Sequence, residues 1–238
     1  MDMTAEALIR AKRAAGLRAA DMVEDGMVVG LGTGSTVFFT IERLSERIRD
    51  GLRISGIPTS FQTALRAREA HIPLTTLDDN PVVDIAIDGA DEVDLKHRLI
   101  KGRGAAHLRE KCVAAAAKRF VVVVDEQKVV KKLGTAAVPV EVLPFAVTPV
   151  MISLRGLGCV PVIREAVRKD GPVISDNGNF IVDCRFADIK NPETLEAALA
   201  AIPGVLGSGL FCGFEKKTTV IIGGRKKVKI VSSADIVA

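Results

Sequence analysis

Gly30-Leu31-Gly32-Thr33-Gly34-Ser35-Thr36 joins a short β-branched run to a helix-like segment. Glycines let a main chain approach an anion closely. Its N–H groups, with the hydroxyls of Thr33, Ser35 and Thr36, can donate to a phosphate placed at the helix N-terminus. The glycines fall as G-x-G-x-G, whereas a dinucleotide fingerprint needs G-x-G-x-x-G with an acidic residue about 20 positions on. No Lys-Ser/Thr pair follows, so the segment is not a nucleotide P-loop either. The plainer alternative is a tight strand-to-helix turn with Ser35 as helix cap.

Two further segments carry reactive groups. Asp88-Gly89-Ala90-Asp91-Glu92-Val93-Asp94 crowds four carboxylates where an apolar strand ends. Ligands of open α/β sheets bind at that carboxyl edge, and mutual repulsion suits clustered carboxylates to proton transfer. An acidic surface turn or a metal-binding loop is the alternative, although D-x-x-D is not EF-hand spacing. Lys101-Gly102-Arg103-Gly104-Ala105-Ala106-His107-Leu108-Arg109-Glu110-Lys111 again sets glycines before a helix, now behind a lysine. The lysine can bind phosphate or stabilise an oxyanion, and Glu110 can act as a base. Read alone, Glu110 is as well explained as a first-turn partner of the helix dipole beside Lys111, and His107 as a structural histidine.

The elements that must position these groups alternate. The spacing predicts helices over 4–24, 35–49, 62–70 and 106–119. Strands are expected at MVVGLG, 52–60, IPLTTL, 82–94 (ending in the acidic loop) and FVVVVD (120–125). Apolar runs of this kind indicate strands buried on both faces, hence a parallel α/β sheet. Beyond residue 135 the order changes to strand 136–142, helix 148–157, strand 159–166, strand 180–186, an Asn191-capped helix with Pro192 at its first position, and strand VLGSGLF. That β-α-β-β-α-β order is ferredoxin-like. TTVIIGG and KVKIV are expected to rejoin the first sheet. The expected fold class is therefore α/β, a Rossmann-like parallel-sheet domain (1–133 and 210–238) with an inserted ferredoxin-like α+β domain (134–209).

Composition narrows the function. With 48% hydrophobic and 26% charged residues among 238, the chain folds. A net charge of +4, from 33 basic and 29 acidic residues, gives no reason to expect nucleic acid. There is no Trp or Tyr, and the nine Phe are dispersed, so a base-stacking platform is not expected. Cys112, Cys159, Cys184 and Cys212 form no CxxC pair; four buried thiols in a reducing cytosol are expected rather than zinc. The N-terminal stretch lacks the apolar centre of a signal peptide, and no apolar run reaches the ~18 residues of a membrane span. A cytoplasmic protein with no membrane partner is expected.

Taken together, GLGTGST, DGADE and KGxG-x5-EK at these separations resemble the ribose-5-phosphate isomerase A family. The resemblance continues through VVVVDEQK, PVEVLPF, SDNGNFIVD and AIPGV…GLF, over about residues 4 to 224. It implies an aldose-ketose isomerase of the non-oxidative pentose phosphate pathway. Such an enzyme interconverts D-ribose 5-phosphate and D-ribulose 5-phosphate through a cis-enediolate, with neither cofactor nor metal, as a homodimer or tetramer. By resemblance Glu110 is the general base. Lys101 with the backbone of Gly102, Arg103 and Gly104 faces the enediolate oxygen. Asp88 and Asp91, with Gly89 and Ala90 between them, bind sugar hydroxyls and assist ring opening. Thr33, Gly34, Ser35 and Thr36 hold the phosphate end, and Lys128 lies at the substrate site.

There are departures from the family pattern. Arg103 replaces the middle glycine of the common KGGG, although some branches carry KGRG. Were a positive φ needed there, arginine would be strained by roughly 1 kcal/mol or more. Leu108 stands for a common threonine and His107 for an apolar residue. Other readings are a non-catalytic sugar-phosphate sensor, against which no helix-turn-helix module precedes residue 30, a sugar-phosphate deaminase or lactonase, and a nicotinamide-dependent reductase.

Overall fold

The computed structural model describes residues 3–232. In chain order its elements are α1 (Ala5–Ala20), β1 (Val28–Leu31), α2 (Ser35–Arg49), β2 (Ser55–Pro58), α3 (Phe61–Glu69), β3 (Val83–Asp88), β4 (Glu92–Val93), β5 (Leu99–Ile100), α4 (His107–Ala116) and β6 (Ala117–Asp125). There follow β7 (Val138–Val142), α5 (Val147–Gly156), β8 (Cys159–Ile163), β9 (Phe180–Phe186), α6 (Pro192–Ala200), β10 (Val205–Ser208), β11 (Leu210–Phe211), β12 (Thr218–Gly223) and β13 (Val228–Ser232).

The chain divides into two compact units. Unit 1 holds the residues through Ala90, Arg109–Val129 and those from Phe214 onward; unit 2 holds Asp91–Leu108 and Val130–Gly213. The sequence places 91–108, 130–133 and 210–213 with the first domain. The structure groups them with the second, because β4 and β5 pair with each other and with β11, not with the parallel sheet.

Unit 1 is a six-stranded sheet in the order β13-β12-β6-β3-β1-β2, parallel except for β13. Its central strands are apolar on both faces: Val121, Val122, Val123 and Val124 are all at most 1% exposed. Burying a side chain of this class contributes about 1.5–3 kcal/mol. The core joins Val29, Leu31, Ile85, Ile87, Val121 and Val123 to Ala15 and Ala19 of α1 and to Val37, Ile41 and Leu44 of α2. The last three recur at helical spacing, as α2's sequence predicts. After β1 the chain moves outward to β2, while after β3 it moves the other way to β6. The topological switch point therefore lies between β1 and β3, where open α/β sheets place their ligands.

In unit 2 the order β7-α5-β8-β9-α6-β10 forms a sheet ordered β10-β7-β9-β8, antiparallel at every pairing. This is the expected ferredoxin-like arrangement. Its core joins Val138, Val140, Val142, Val182 and Cys184 to Val150 and Leu154 of α5 and Leu199 of α6. Asn191 Oδ1 accepts from Thr194 N at 3.0 Å, the cap read from the sequence.

Three expected elements differ. IPLTTL makes only an isolated bridge, Gly56 with Leu74, rather than a strand; it crosses the outer edge of β2, with only that strand to pair with. VLGSGLF is two strands, because Gly209 donates its N–H to Pro139 O and accepts from Lys101 N, so the chain changes partners there. The helix expected over 106–119 ends at Ala116, where Ala117 already pairs with Val83 of β3. The cysteines also differ from expectation: Cys159 and Cys184 are buried, but Cys112 is exposed on α4 and Cys212 is half-buried beyond β11.

Candidate functional site

In unit 1 the segment after β1 is shaped by what lies beneath it. A side chain at Gly32 would collide with Asp88, so only glycine lets the loop pass over that carboxylate. Thr33 N then donates to Asp88 Oδ1 at 3.1 Å, and Gly89 N to the same oxygen at 2.7 Å. Asp88 ends β3 and is 2% exposed. The loop after β1 and the carboxylate after β3 are thus one construction at the switch point.

The hydroxyl of Thr33 is engaged inward. It lies 2.9 Å from Thr59 Oγ1, 2.8 Å from Ser60 Oγ and 3.2 Å from Thr63 Oγ1. Thr59 and Thr63 in turn donate to the carbonyls of Leu31 and Gly32. Thr33 is therefore a structural tie, not the outward-facing hydroxyl that the sequence suggests.

The cap of α2 is Gly34, at φ 129°, and not Ser35, which is the first helical residue. No side chain caps this helix and its first turn holds no acidic residue. Its N-terminal donors and partial positive charge are accordingly available to an anion. Ser35 is exposed and Thr36 is 8% exposed. Lys12 of α1 adds a cation, its Nζ 3.2 Å from Ser35 Oγ. Sequence reading missed Lys12 because it looks like any polar-face lysine of an amphipathic helix; its separation of 23 residues from Ser35 carries no local signal.

Glu110 lies in the first turn of α4 and is 5% exposed. Val113, one turn on and on the same helix face, fills the space beside Gly30 of β1, where a side chain would collide with it. The face of α4 that carries Glu110 is thus the face laid on β1 and β3. Arg109 stacks over Phe61, 4.9 Å from the ring centroid. Lys128 closes the short 3-10 turn that follows β6, whose cap is Asp125 accepting from Gln127 N at 3.1 Å. It sits at the same carboxyl edge but makes no hydrogen bond or ion pair among the described residues.

In unit 2 Asp91, Lys101, Gly102, Arg103 and Gly104 come together. Arg103 N donates to Asp91 Oδ2 at 3.0 Å, and Lys101 N to Gly209 O at 2.8 Å. Lys101 is 2% exposed, its Nζ 5.5 Å from the centroid of the Phe211 ring. Gly102 has φ 107° and faces the His107 ring, so a side chain there would be both strained and obstructed. His107 is fully buried against it, which bears out the structural reading of that histidine. Arg103 does not have positive φ, and its side chain is exposed. The positive φ considered for it falls instead on Gly102, where glycine carries it without strain, and on Ala105, at φ 59°.

Among the described residues no group of three or more His, Cys, Asp or Glu side chains is placed to hold a metal ion, and no helix is long and apolar enough to cross a membrane. In unit 1 an uncapped helix N-terminus thus stands at the topological switch point, joined by hydrogen bonds to a buried carboxylate.

The family model for ribose 5-phosphate isomerase A (phosphoriboisomerase A) matches residues 55–227. A ribose-5-phosphate isomerase A of Methanoregula boonei is 66% identical over 234 residues, 98% of each chain. The solved ribose 5-phosphate isomerase A of Methanocaldococcus jannaschii is 46% identical, with a TM-score of 0.89 over 93% of this chain and 98% of that one. A D-ribose-5-phosphate isomerase solved with phospho-erythronic acid is 43% identical, with a TM-score of 0.91 over 97% of this chain and 100% of that one. This chain belongs to the ribose 5-phosphate isomerase A family.

Proposed function

We propose that this chain interconverts D-ribose 5-phosphate and D-ribulose 5-phosphate by moving a proton between C2 and C1 through a cis-enediolate. The observation that carries the reading is the union of an open helix N-terminus with the buried Asp88 carboxylate through the Thr33 N–H. A sugar phosphate presents a dianion to the first and hydroxyls to the second. The ligand of the phospho-erythronic acid complex likewise joins a phosphate to a planar two-oxygen anion, the charge pattern of an enediolate.

The roles are those that membership of the family implies, and the chemistry of each group suits them. The first turn of α2, with Ser35, Thr36 and Lys12, takes the phosphate. Asp88 and Asp91 accept from sugar hydroxyls and assist ring opening and proton exchange between O1 and O2. Glu110, a carboxylate shielded from water, removes the C2 proton and returns it to C1. Lys101 and the N–H groups of Gly102–Gly104 stabilise the developing oxyanion. Lys128 supplements the substrate site. No net redox change occurs, since C2 is oxidised to a carbonyl as the C1 carbonyl is reduced, so no step requires an external oxidant or reductant. The reaction is placed in the cytoplasm, in the non-oxidative pentose phosphate pathway. The chain acts as a homo-oligomer, as the family resemblance implies.

The test is conversion of ribose 5-phosphate to ribulose 5-phosphate, with EDTA present, by the wild type and by Glu110→Gln. The wild type is expected to turn over, and the variant to lose about two orders of magnitude or more in kcat. Binding of the sugar by the wild type without turnover would replace this reading with a sensor.

A further inference from the structure

Arg164 follows β8 and lies about 60 positions in sequence from Gly102 and Arg103. Its backbone is fixed at both ends: its N–H donates to Ile181 O, and its carbonyl accepts from Val173 N, each at 2.8 Å. Its guanidinium is fixed as well. Nε donates to Asp183 Oδ2 at 2.8 Å and Nη2 to Asp183 Oδ1 at 2.5 Å, a two-point pair with a carboxylate on β9. That leaves Nη1, whose two hydrogens go to Gly102 O at 2.9 Å and Arg103 O at 3.0 Å. Four of the five guanidinium N–H bonds are thereby assigned, two to an anchor and two to consecutive carbonyls.

Peptide planarity turns this grip into an aiming device. In a trans peptide the C=O and the following N–H point in opposite directions. The carbonyl of Gly102 faces Arg164, so the N–H of Arg103 faces away, and there it meets Asp91 Oδ2 at 3.0 Å. That peptide is held from both sides. The carbonyl of Arg103 also faces Arg164, so the N–H of Gly104 is turned outward, on an exposed residue that donates to no other described group. The flanking positive φ values, 107° at Gly102 and 59° at Ala105, allow such successive turns but do not by themselves fix their direction.

We infer that Arg164, oriented by Asp183, is a positioning residue for the proposed isomerisation. It fixes the Gly102–Arg103 and Arg103–Gly104 peptides so that their N–H groups face Asp91 and the substrate oxygen. Donors held in place before reaction avoid reorganisation as negative charge develops, which is where such groups gain most of their effect. Both grips are on main-chain atoms, so the side chain at 103 is free to vary, and this accounts for an exposed arginine in a glycine-rich turn. The inference rests on the isomerase reading for its consequence but not for its geometry.

The experiment compares wild type, Arg164→Ala, Arg164→Lys and Asp183→Asn. Two readouts are taken: steady-state kinetics on ribose 5-phosphate, and hydrogen exchange at the amides of 103–105. Arg164→Ala is expected to lower kcat about tenfold to a hundredfold while KM changes less than about threefold, since donors misplaced by an ångström weaken the transition state more than ground-state binding. Faster exchange at Arg103 and Ala105, whose N–H groups donate to Asp91 Oδ2 and Gly102 O, should accompany it. Guanidinium ion at tens of millimolar, below the range that unfolds the protein, should restore part of the loss in Arg164→Ala and none in Glu110→Gln. Lysine cannot reach two carbonyls and a carboxylate together, so Arg164→Lys should stay impaired.

A kcat for Arg164→Ala within twofold of wild type would overturn the inference. So would lost activity that tracks a lowered melting temperature with no guanidinium rescue. If the wild type itself fails to turn over ribose 5-phosphate, the isomerase reading falls. The exchange data then still decide the clamp, which unchanged amides at 103–105 would refute.

Discussion

One oxygen of Asp88 receives the N–H of Thr33 at 3.1 Å and the N–H of Gly89 at 2.7 Å, so a single carboxylate oxygen ties the end of β3 to the turn after β1. The turn precedes the open N-terminus of α2. Movement of Asp88 therefore moves the turn, and with it the proposed phosphate end of the site.

Two substitutions separate these duties. Asp88→Asn keeps an oxygen for both N–H groups and removes only the charge; kcat should fall about a hundredfold while KM moves less than about threefold. Asp88→Ala also releases the turn, so KM for ribose 5-phosphate should rise as well. Steady-state kinetics on the pair decide the point; identical KM values would show that the tie does not hold the phosphate site.

Lys12 stands beside Ser35 at the start of α2, 3.2 Å from its hydroxyl. Lys12→Met should raise KM for ribose 5-phosphate about tenfold, the worth of one charge-assisted contact, with little change in kcat. Inorganic phosphate should inhibit the variant correspondingly less. Inhibition equal to wild type would remove Lys12 from the anion site.

Gly102→Ala adds a methyl at φ 107° and places it 2.7 Å from His107 Nδ1. The ring is fully buried, so the ring or the turn must shift. Activity should fall at least about tenfold, with a loss of about 1–3 kcal/mol in stability measured by urea unfolding. Gly104→Ala, at a position without positive φ, provides the contrast for stability.

Asp84 lies at the opposite end of β3 from Asp88. Its Oδ1 accepts from Lys118 Nζ at 2.8 Å and its Oδ2 from Val28 N at 2.9 Å, joining three neighbouring strands. The Lys118 ammonium first, and the Val28 N–H second, hold its pKa below the ordinary carboxylate value. A depressed folded pKa stabilises above the unfolded value and is lost as pH falls through the folded one. Partial exposure keeps the effect small, so Asp84→Asn should cost about 1 kcal/mol at pH 7. The gap from wild type should close in acid, once the pH has fallen through that lowered value. Urea unfolding at pH 7 and in acid reads it, and a gap that persists in acid would assign the cost to something other than charge.

Much of this was legible in the sequence wherever local physics decides. The 3.6-residue recurrence of Val37, Ile41 and Leu44 fixes α2 to the residue, and Asn191-Pro192 fixes the start of α6. The carboxyl edge of β3 is implied once an apolar run ends in Asp88. What depends on distant partners was not legible. No window of sequence shows that Thr33 turns its hydroxyl toward Thr59, Ser60 and Thr63, that Lys12 reaches Ser35, or that Arg164 grips carbonyls about 60 positions away. The grouping of 91–108 with unit 2 is of the same kind, since β4 and β5 are two residues each and are defined by a partner at 210–211.

The Phe120–Asp125 stretch of β6 finds its outer neighbour only in β12, some hundred residues later in the chain. During synthesis β6 therefore waits, with four consecutive valines and an unpaired backbone edge, until the last segment has left the ribosome. Parallel pairing across so long an interval is slow, and an apolar edge left open is a template for another chain. A nascent or truncated chain ending before Thr218 should thus be a client for chaperones and prone to form intermolecular sheets, however well the rest of it folds.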